Sequence, residues 1–462
     1  MKNRILILTM LICSLLIVSC SNDDSNSEYA NTIETRFIAS LIEGQTDLPI
    51  PFEGTTIELT NKLNGNKNTI TLDNQGTAIV KLRQGSYSAI ARQSLTKEVY
   101  NKLIDDTKSL EDKAEDDIIT LTANIDEIKI DAAAEVKIAM KMNKTVVGGF
   151  VLKQIYYAGS SLTDGAAYRD QFIEIYNNSS ETLYADGLML GLLHNSSYRS
   201  YNEDGPYLLP SKQYDWSKSE GNTGEGNLNN DYVYASNLFR IPGNGTQYPV
   251  EAGKSIIIAG TAIDHTKTYI TTDATKLVDP NKTIDLSNAD FDAYVLDYLK
   301  KEFDIDITKT QYRYNLYTVG IGKLEVLNLQ RGDLGLRFAT DDGIVLVQLP
   351  KEENVLTYPK VKTPKSNDSN MCVRIPNKFI VDGVQIRNAK DNRVAPRKVP
   401  ESVDSGNTFV PNGTYSSQAL LRKTKYKLNN GRRVLQDTNN STEDFVVIDK
   451  PVSSKGEDSF TN

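Results

Sequence analysis

Two histidines, three cysteines and 60 acidic residues are the groups in this 462-residue chain that could carry nucleophilic, metal or acid–base chemistry. Cys372 lies between Met371 and Val373, apolar neighbours that mark a small core residue rather than an activated thiol. A thiolate nucleophile needs a base, and no recognisable motif places His194 or His265 beside it. The acidic stretches Asp285-Leu286-Ser287-Asn288-Ala289-Asp290 and Thr340-Asp341-Asp342-Gly343 offer oxygen ligands, but neither has EF-hand spacing. Ser287 and Asp290 suit a capping box instead, because Phe291, Val295, Leu299 and Phe303 follow at four-residue intervals and predict a helix. Asp341-Asp342-Gly343 before Ile344-Val345-Leu346-Val347 reads as a hairpin turn into a buried strand. There is no G-x-S-x-G elbow, phosphate-binding loop or H-E-x-x-H pair. The motif content therefore predicts no enzyme, no metal and no cofactor. One alternative stays open, a hydrolase with an unrecognised carboxylate site, since that chemistry needs only two acids brought together by the fold.

Recognition chemistry is better represented. Residues 194–240 hold Tyr198, Tyr201, Tyr207, Tyr214, Tyr232 and Tyr234, with Phe239 and the single tryptophan, Trp216. That is six of 24 tyrosines in a tenth of the chain, about two and a half times an even share. Aromatic bodies with polar tips among Asn, Ser and Gly suit sugar stacking or protein docking, which makes these residues candidate binding groups. The same composition also suits an insertion that packs its aromatics into a small core of its own. A second feature is residues 351–433, with 17 Lys/Arg against 7 Asp/Glu. Such a basic segment fits an anionic ligand, an acidic partner surface or simply a solvated face. Nucleic acid is not expected, because the whole chain is at −8 and no aromatic–basic platform accompanies the charge.

The address is written in the first twenty residues. Lys2 and Arg4 precede an apolar run from Ile5 to Val18, which fits a signal h-region and falls short of the about 20 residues of a spanning helix. The run ends Leu16-Ile17-Val18-Ser19-Cys20, which resembles a bacterial lipobox: aliphatic, then small, then cysteine. Lipid attachment at Cys20 is the expected modification, and acyl chains add about 0.8 kcal/mol per buried CH₂ to membrane binding. Residues 1–19 then form a lipoprotein signal peptide whose removal takes two positive charges. Residues 20–34, opening Ser21-Asn22-Asp23-Asp24-Ser25-Asn26 after Cys20, form a flexible acidic tether. The tether resembles the acidic export signal of Bacteroidota lipoproteins, which implies the outer membrane, with the protein facing the cell exterior.

The elements that must carry these groups are mostly strands. In Thr56-Ile57-Glu58-Leu59-Thr60 and Ala78-Ile79-Val80-Lys81-Leu82 the apolar residues alternate, with turn chemistry at Asn64-Gly65 and Gln75-Gly76. The stretches Pro51–Leu59, Leu72–Ala78 and Leu82–Tyr87 resemble carboxypeptidase-regulatory and Cna-B-type modules, which implies a small β-sandwich over 35–145. Ser94 to Asp117 breaks that pattern with Leu95, Val99 and Leu103 at helical spacing.

Further on, Gln171-Phe172-Ile173-Glu174-Ile175-Tyr176-Asn177-Asn178 with Leu183–Leu188, Tyr248–Ala259, Leu420–Lys423 and Gln436–Phe445 resemble the opening, middle and closing strands of lamin-tail domains. The resemblance implies one larger immunoglobulin-like β-sandwich over 146–450 with long insertions, followed by a C-terminal tail, 451–462. The combination, with Ala262–His265, Thr283–Phe291, Ile375-Pro376 and Ile380–Val384, resembles a family of Bacteroidota lipoproteins, the domain-of-unknown-function family 4876. That resemblance implies a non-catalytic binding or accessory subunit alongside a TonB-dependent outer-membrane receptor in nutrient uptake. A structural or adhesive surface protein is the other class that a β-stalk and sandwich would serve. No ligand is implied.

Overall fold

The computed structural model describes residues 32–41, 50–95, 119–143, 149–196, 205–270, 275–308, 316–330, 335–364, 371–387, 396–428 and 430–461. Cys20, Tyr198, Tyr201 and the predicted helix beyond Leu95 lie outside them. The described residues form two compact units, one from 32–143 and one from 149–461. Among them no helix is long and apolar enough to cross a membrane.

The first unit is a seven-stranded β-sandwich. Its strands are β1 (Thr32–Leu41), β2 (Thr56–Asn61), β3 (Lys67–Thr71), β4 (Thr77–Arg83), β5 (Gly85–Leu95), β6 (Ile119–Ile130) and β7 (Ala134–Asn143), ordered β3-β2-β5-β6-β7-β1-β4. Alternation decides the burial: Ile57 and Leu59 from β2 meet Phe37 from β1, Leu82 from β4 and Met140 from β7 in one core. The turn before β4 is built by Asp73, whose carboxylate accepts from the backbone N–H of Gln75 and Thr77, each at 2.9 Å. Gly76 completes it at φ +71°, where an added Cβ would also press on Phe52 at 3.1 Å. The strand that leaves this turn pairs with β1, Ile38 opposite Thr77, and the Gly76 carbonyl accepts from the Ala39 N–H at 3.0 Å.

The second unit stacks two seven-stranded sheets. Its main strands are β8 (Phe150–Tyr156), β9 (Phe172–Asn177), β10 (Met189–Leu193), β11 (Tyr232–Arg240), β12 (Ser255–Ala259), β13 (Phe291–Asp292), β14 (Gly322–Lys323), β15 (Glu325–Asn328), β16 (Gly343–Val347), β17 (Lys360–Lys362), β18 (Met371–Pro376), β19 (Ile380–Gln385), β20 (Ala419–Arg422) and β21 (Phe445–Ile448). One sheet runs β17-β18-β11-β10-β16-β19, with β15 also on β11; the other runs β14-β13-β12-β9-β8-β20-β21. Parts of the stretches that resemble lamin-tail strands fall in the second sheet, where Ser255 opposes Tyr176 and Arg422 opposes Phe445, whereas Leu183–Tyr184 pairs with Pro249–Val250 in a separate two-stranded ribbon. Leu190, Leu192, Ile344 and Leu346 face Phe150, Leu152, Ile173 and Leu420 in the shared core. Met189, Leu193, Val345 and Val347 enter a second cluster on the outer face of their sheet. Both faces are covered, which explains why these strands are apolar throughout rather than alternating.

Two expectations need correction. The capping box does not form: Phe291 is a strand residue, and helix α1 (Leu296–Phe303) begins after Val295 with no side-chain cap. Asp290 instead accepts from the Ile257 N–H at 2.7 Å and pairs with Lys455 at 2.9 Å, so β-sheet docking outcompetes a local cap. Asp341-Asp342-Gly343 does turn into the buried strand β16, with Asp341 at φ +68°, but the partners of β16 are β10 and β19 and no hairpin results. Residues 451–461, within the expected C-terminal tail, run as a strap. Val452 exchanges two hydrogen bonds with the Gln154 side chain, and Phe460 lies edge-on to Tyr176 at 5.7 Å. The strap covers a fully buried ion pair, Lys153 with Glu174 at 2.8 Å, and its Ser459 hydroxyl takes a second bond from Lys153 at 2.7 Å.

Candidate functional site

The aromatic segment is where sequence and structure diverge most. Tyr214, Trp216 and Tyr234 are 2–4 % exposed and share a cluster with Val361 and Cys372. Trp216 stacks on Tyr234 with ring centroids 3.6 Å apart and planes within 6°, and Tyr214 meets its edge at 6.0 Å. The surrounding asparagines satisfy the backbone. Asn222 donates to the Trp216 carbonyl at 2.9 Å, and Asn229 donates to the Tyr214 carbonyl at 2.7 Å. Tyr232 is half-buried beneath Arg374, and Tyr207 is half-buried in a short 3₁₀ turn. Buried rings offer no stacking face, so Tyr214, Trp216 and Tyr234 are corrected from binding groups to the core of the insertion.

The other candidates are also spent on structure. Cys372 is buried in that cluster, with Gln330 Nε2 at 3.4 Å from its Sγ. His265 is buried with Nε2 on the Thr261 carbonyl at 2.9 Å, and burial pushes its pKa down to about 4. Among the described residues, several basic groups of 351–433 are drawn to separate partners. Arg374 reaches Asn222, Lys398 pairs with Asp342, and Lys427 and Arg433 pair with Glu457. Arg422 is 2 % exposed, held by Asp382 at 2.7 Å and Asp437 at 3.2 Å. Among the described residues no group of three or more His, Cys, Asp or Glu is placed to hold a metal ion.

One end of the second sheet stands out for strain. Loops leaving β8, entering β9 and entering β20 meet there, and three non-glycine residues sit in the left-handed region: Ala167 at φ 55°, Tyr415 at 65° and Ser417 at 62°. Such conformations cost roughly 1–3 kcal/mol each and persist only where surrounding bonds over-determine them. Here the Tyr415 N–H donates to Ala158 O at 2.7 Å, Ser417 N–H to Gly159 O at 3.0 Å, and Ser160 N–H to Ala167 O at 2.9 Å. Gly159 cannot be replaced at this crossing, because a Cβ there would lie 2.1 Å from the Ala167 carbonyl oxygen.

Two phenols ride on these loops. Tyr168 and Tyr415, both half-buried, lie with ring centroids 4.8 Å apart at 48°, and the exposed Arg337 guanidinium sits 5.3 Å from the Tyr168 centroid. Burial, reinforced by a hydrogen bond between the two phenols, pushes the Tyr415 hydroxyl up to about 12. No local pattern announces this group, since three segments far apart in the chain supply it. Behind it Asp170 is fully buried and receives the Tyr156 hydroxyl at 3.3 Å. Burial pushes the Asp170 carboxyl up to about 7 against the opposing hydrogen bonds from Ser160 and Tyr156.

A folded pKa above the unfolded value contributes stability that is full below about pH 4 and is lost as pH rises through 7. Asp170→Asn is therefore expected to gain relative to wild type across that window, by up to about 4 kcal/mol at roughly 1.4 kcal/mol per pKa unit. Urea unfolding at pH 4.5, 6 and 7.5 measures the difference. Parallel curves for the two proteins would show that Asp170 is ionised throughout.

A second exposed feature lies beyond α1. Tyr317 is 63 % exposed and packs edge-on against Tyr294 at 5.2 Å, and Phe303, Leu316 and Val319 are also exposed. Lys323 lies 4.8 Å over the Tyr317 ring. Leu316, Tyr317 and Val319 thus expose three large apolar side chains within four residues, and contiguous exposed apolar surface of this kind marks contact sites.

The described residues thus define a mostly β protein of two units, a small β-sandwich and a larger double-sheet unit with long insertions. Residues 251–452 match the model of the family described as protein of unknown function (DUF4876), the family that the sequence resemblance named. A crystal structure of a DUF4876 family protein from Bacteroides thetaiotaomicron VPI-5482 is similar at 22 % identity, with 90 % of this chain and 94 % of that chain covered and a TM-score of 0.49. A DUF3823 family protein from Parabacteroides merdae ATCC 43184 is similar at 12 % identity, over 36 % of this chain and 67 % of that one, with a TM-score of 0.15. Another from Bacteroides ovatus ATCC 8483 is similar at 11 % identity, over 49 % of this chain and 98 % of that one, with a TM-score of 0.14. No curated protein matches.

Proposed function

We propose that this protein is a lipid-anchored, non-catalytic binding subunit on the outer face of the outer membrane, working alongside a TonB-dependent receptor in nutrient uptake. The anchor is the Cys20 thiol at the end of Leu16-Ile17-Val18-Ser19, and the acidic residues that follow are the tether and export signal. The binding role rests on one observation above the others. The loops at one end of the large unit hold three strained non-glycine residues and present Tyr168, Tyr415 and Arg337 outward. Rigid scaffolds that spend strain on loop geometry commonly do so where a ligand must be met. The exposed Tyr317 face supplies a separate surface for a partner protein.

Cys20→Ala is expected to move the protein from the membrane fraction to the soluble fraction. Wild type on intact cells is expected to be lost to external protease, and a TonB-dependent receptor is expected to co-purify with it. Membrane retention of the mutant would overturn the anchor, and protection from protease would place the protein on the periplasmic side.

A further inference from the structure

We infer that Asp170 is a proton-operated latch: as an uncharged acid it keeps the two strained loops that carry Tyr168 and Tyr415 together, and its ionisation lets them part. The latch is a property of the loops themselves and goes beyond the binding proposed above. Asp170 precedes β9 and is fully buried, and among the described residues no ion pair joins it. Its Oδ2 receives the Tyr156 hydroxyl at 3.3 Å, whereas Oδ1 is buried with no hydrogen-bond partner among the described residues. Tyr156 in turn meets the hydroxyls of Ser160 and Ser417, so the carboxyl sits where both loops come together. A carboxylate enclosed without a counter-charge is far costlier than the neutral acid in the same place, so the closed state holds the proton.

A charge on Asp170 must be hydrated, and water reaches it when the loops separate. Three main-chain bonds hold them: Tyr415 N–H to Ala158 O at 2.7 Å, Ser417 N–H to Gly159 O at 3.0 Å and Ser160 N–H to Ala167 O at 2.9 Å. The same bonds keep Ala167, Tyr415 and Ser417 in the left-handed region, so opening there releases backbone strain that opening a strand would not. The other titratable and charged groups around these loops are engaged elsewhere. Tyr157 accepts from the Val410 N–H at 2.8 Å, and Tyr168 and Tyr415 bond to each other. Arg169 Nε donates to the Ala166 carbonyl at 3.2 Å, Arg337 lies over Tyr168, and Asp164 pairs with Lys282 at 2.6 Å. Burial holds the Tyr157 and Tyr415 phenols up at about 12 and His265 down at about 4, outside the range in which the Asp170 carboxyl, pushed up to about 7, changes charge. With an ordinary carboxyl pKa of about 3.9 once hydrated, opening becomes up to about tenfold easier per pH unit between about 4 and 7 and levels off above.

The test is amide hydrogen exchange on the full chain in detergent, read by mass spectrometry from pH 5 to pH 8 and corrected for the intrinsic rate at each pH. Wild type is expected to lose protection in 157–171 and 412–418 by about tenfold or more between pH 5 and pH 7, with a plateau above, while the strands of both sheets keep theirs. Asp170→Asn is expected to hold the protection of these loops constant within about twofold, because the amide matches the acid in size and has no proton to lose in this range. Asp382 is also pushed up to about 7, but both proteins contain it, so the difference between them isolates Asp170. Tyr156→Phe removes a hydroxyl that steadies the ionised form, so the plateau should begin at a higher pH. That variant decides the matter if Asp170→Asn fails to fold, and an unmoved plateau would then count against the latch. Equal pH dependence in wild type and Asp170→Asn overturns the assignment. Protection lost evenly across the large unit also overturns it, since Asp170 would then act through global unfolding alone. No ligand is added, so either outcome leaves the membrane anchor and the receptor association to their own tests.

Discussion

Replacing Arg422 with Met is expected to destabilise the large unit by about 3–5 kcal/mol, enough to unfold it at moderate temperature. Arg422 is fully enclosed and spans the two sheets. Its guanidinium reaches Asp382 of β19 at 2.7 Å, the Leu152 carbonyl of β8 at 2.8 Å, Asp437 at 3.2 Å and Asp444 at 3.6 Å, and it lies 4.7 Å over the Phe445 ring. Burial alone would pull its pKa down, but the three carboxylates together push it above the ordinary guanidinium range. Methionine fills the volume and removes the charge, which leaves the carboxylates of Asp382 and Asp444 buried without a counter-charge. Protonation relieves that penalty, so the deficit of the mutant is expected to shrink as pH falls from 7.5 to 5. Guanidinium chloride unfolding at both pH values measures it. A deficit below about 1 kcal/mol, or one that grows in acid, would show that the carboxylates do not depend on Arg422.

Trp216→Ala is the second large effect, about 3–5 kcal/mol as for other buried tryptophans. The indole is 2 % exposed, stacked face to face on Tyr234 and capped at its edge by Tyr214. Its removal opens a cavity between β11 and the insertion, next to Cys372 and Val361. An exposed anchor residue would behave oppositely, with binding lost and stability kept. Thermal melting of Trp216→Ala decides between the two roles, and the accompanying change in Cys372 labelling by a thiol reagent locates the opening. An unchanged melting curve would return Trp216 to the surface.

These two residues mark the limit of what the chain reveals locally. Aromatic enrichment in 194–240 was legible, but composition is the same for a binding loop and for a small self-packed core. Only the position of Tyr234 on β11, with Val361 and Cys372 on the neighbouring strands, turns the rings inward. The basic run of 351–433 misled for a related reason. Charge counted along a chain becomes a surface only if the fold leaves it on one side, and here strand pairing sends Arg422, Arg374 and Lys398 to different partners. The platform of Tyr168, Tyr415 and Arg337 had no local signature at all.

By itself the sequence determined the β class, the small N-terminal sandwich with its glycine turns, most strands of the second sheet in the large unit, and the Leu16–Cys20 motif on which an anchor is proposed. Each is a short-range property, because two-residue alternation, positive-φ glycines and peptidase motifs act within a few residues. The tertiary structure alone decided which aromatics are core, which acids are buried, and which phenols meet an arginine at the strained end of the sheet. Those outcomes depend on segments separated by long insertions, and burial turns on what covers a side chain rather than on its chemical type. The strap over Lys153 and Glu174 is the plainest case. Two charged residues sit within otherwise apolar strands, and residues 451–461 fold back to enclose them at 0 % exposure.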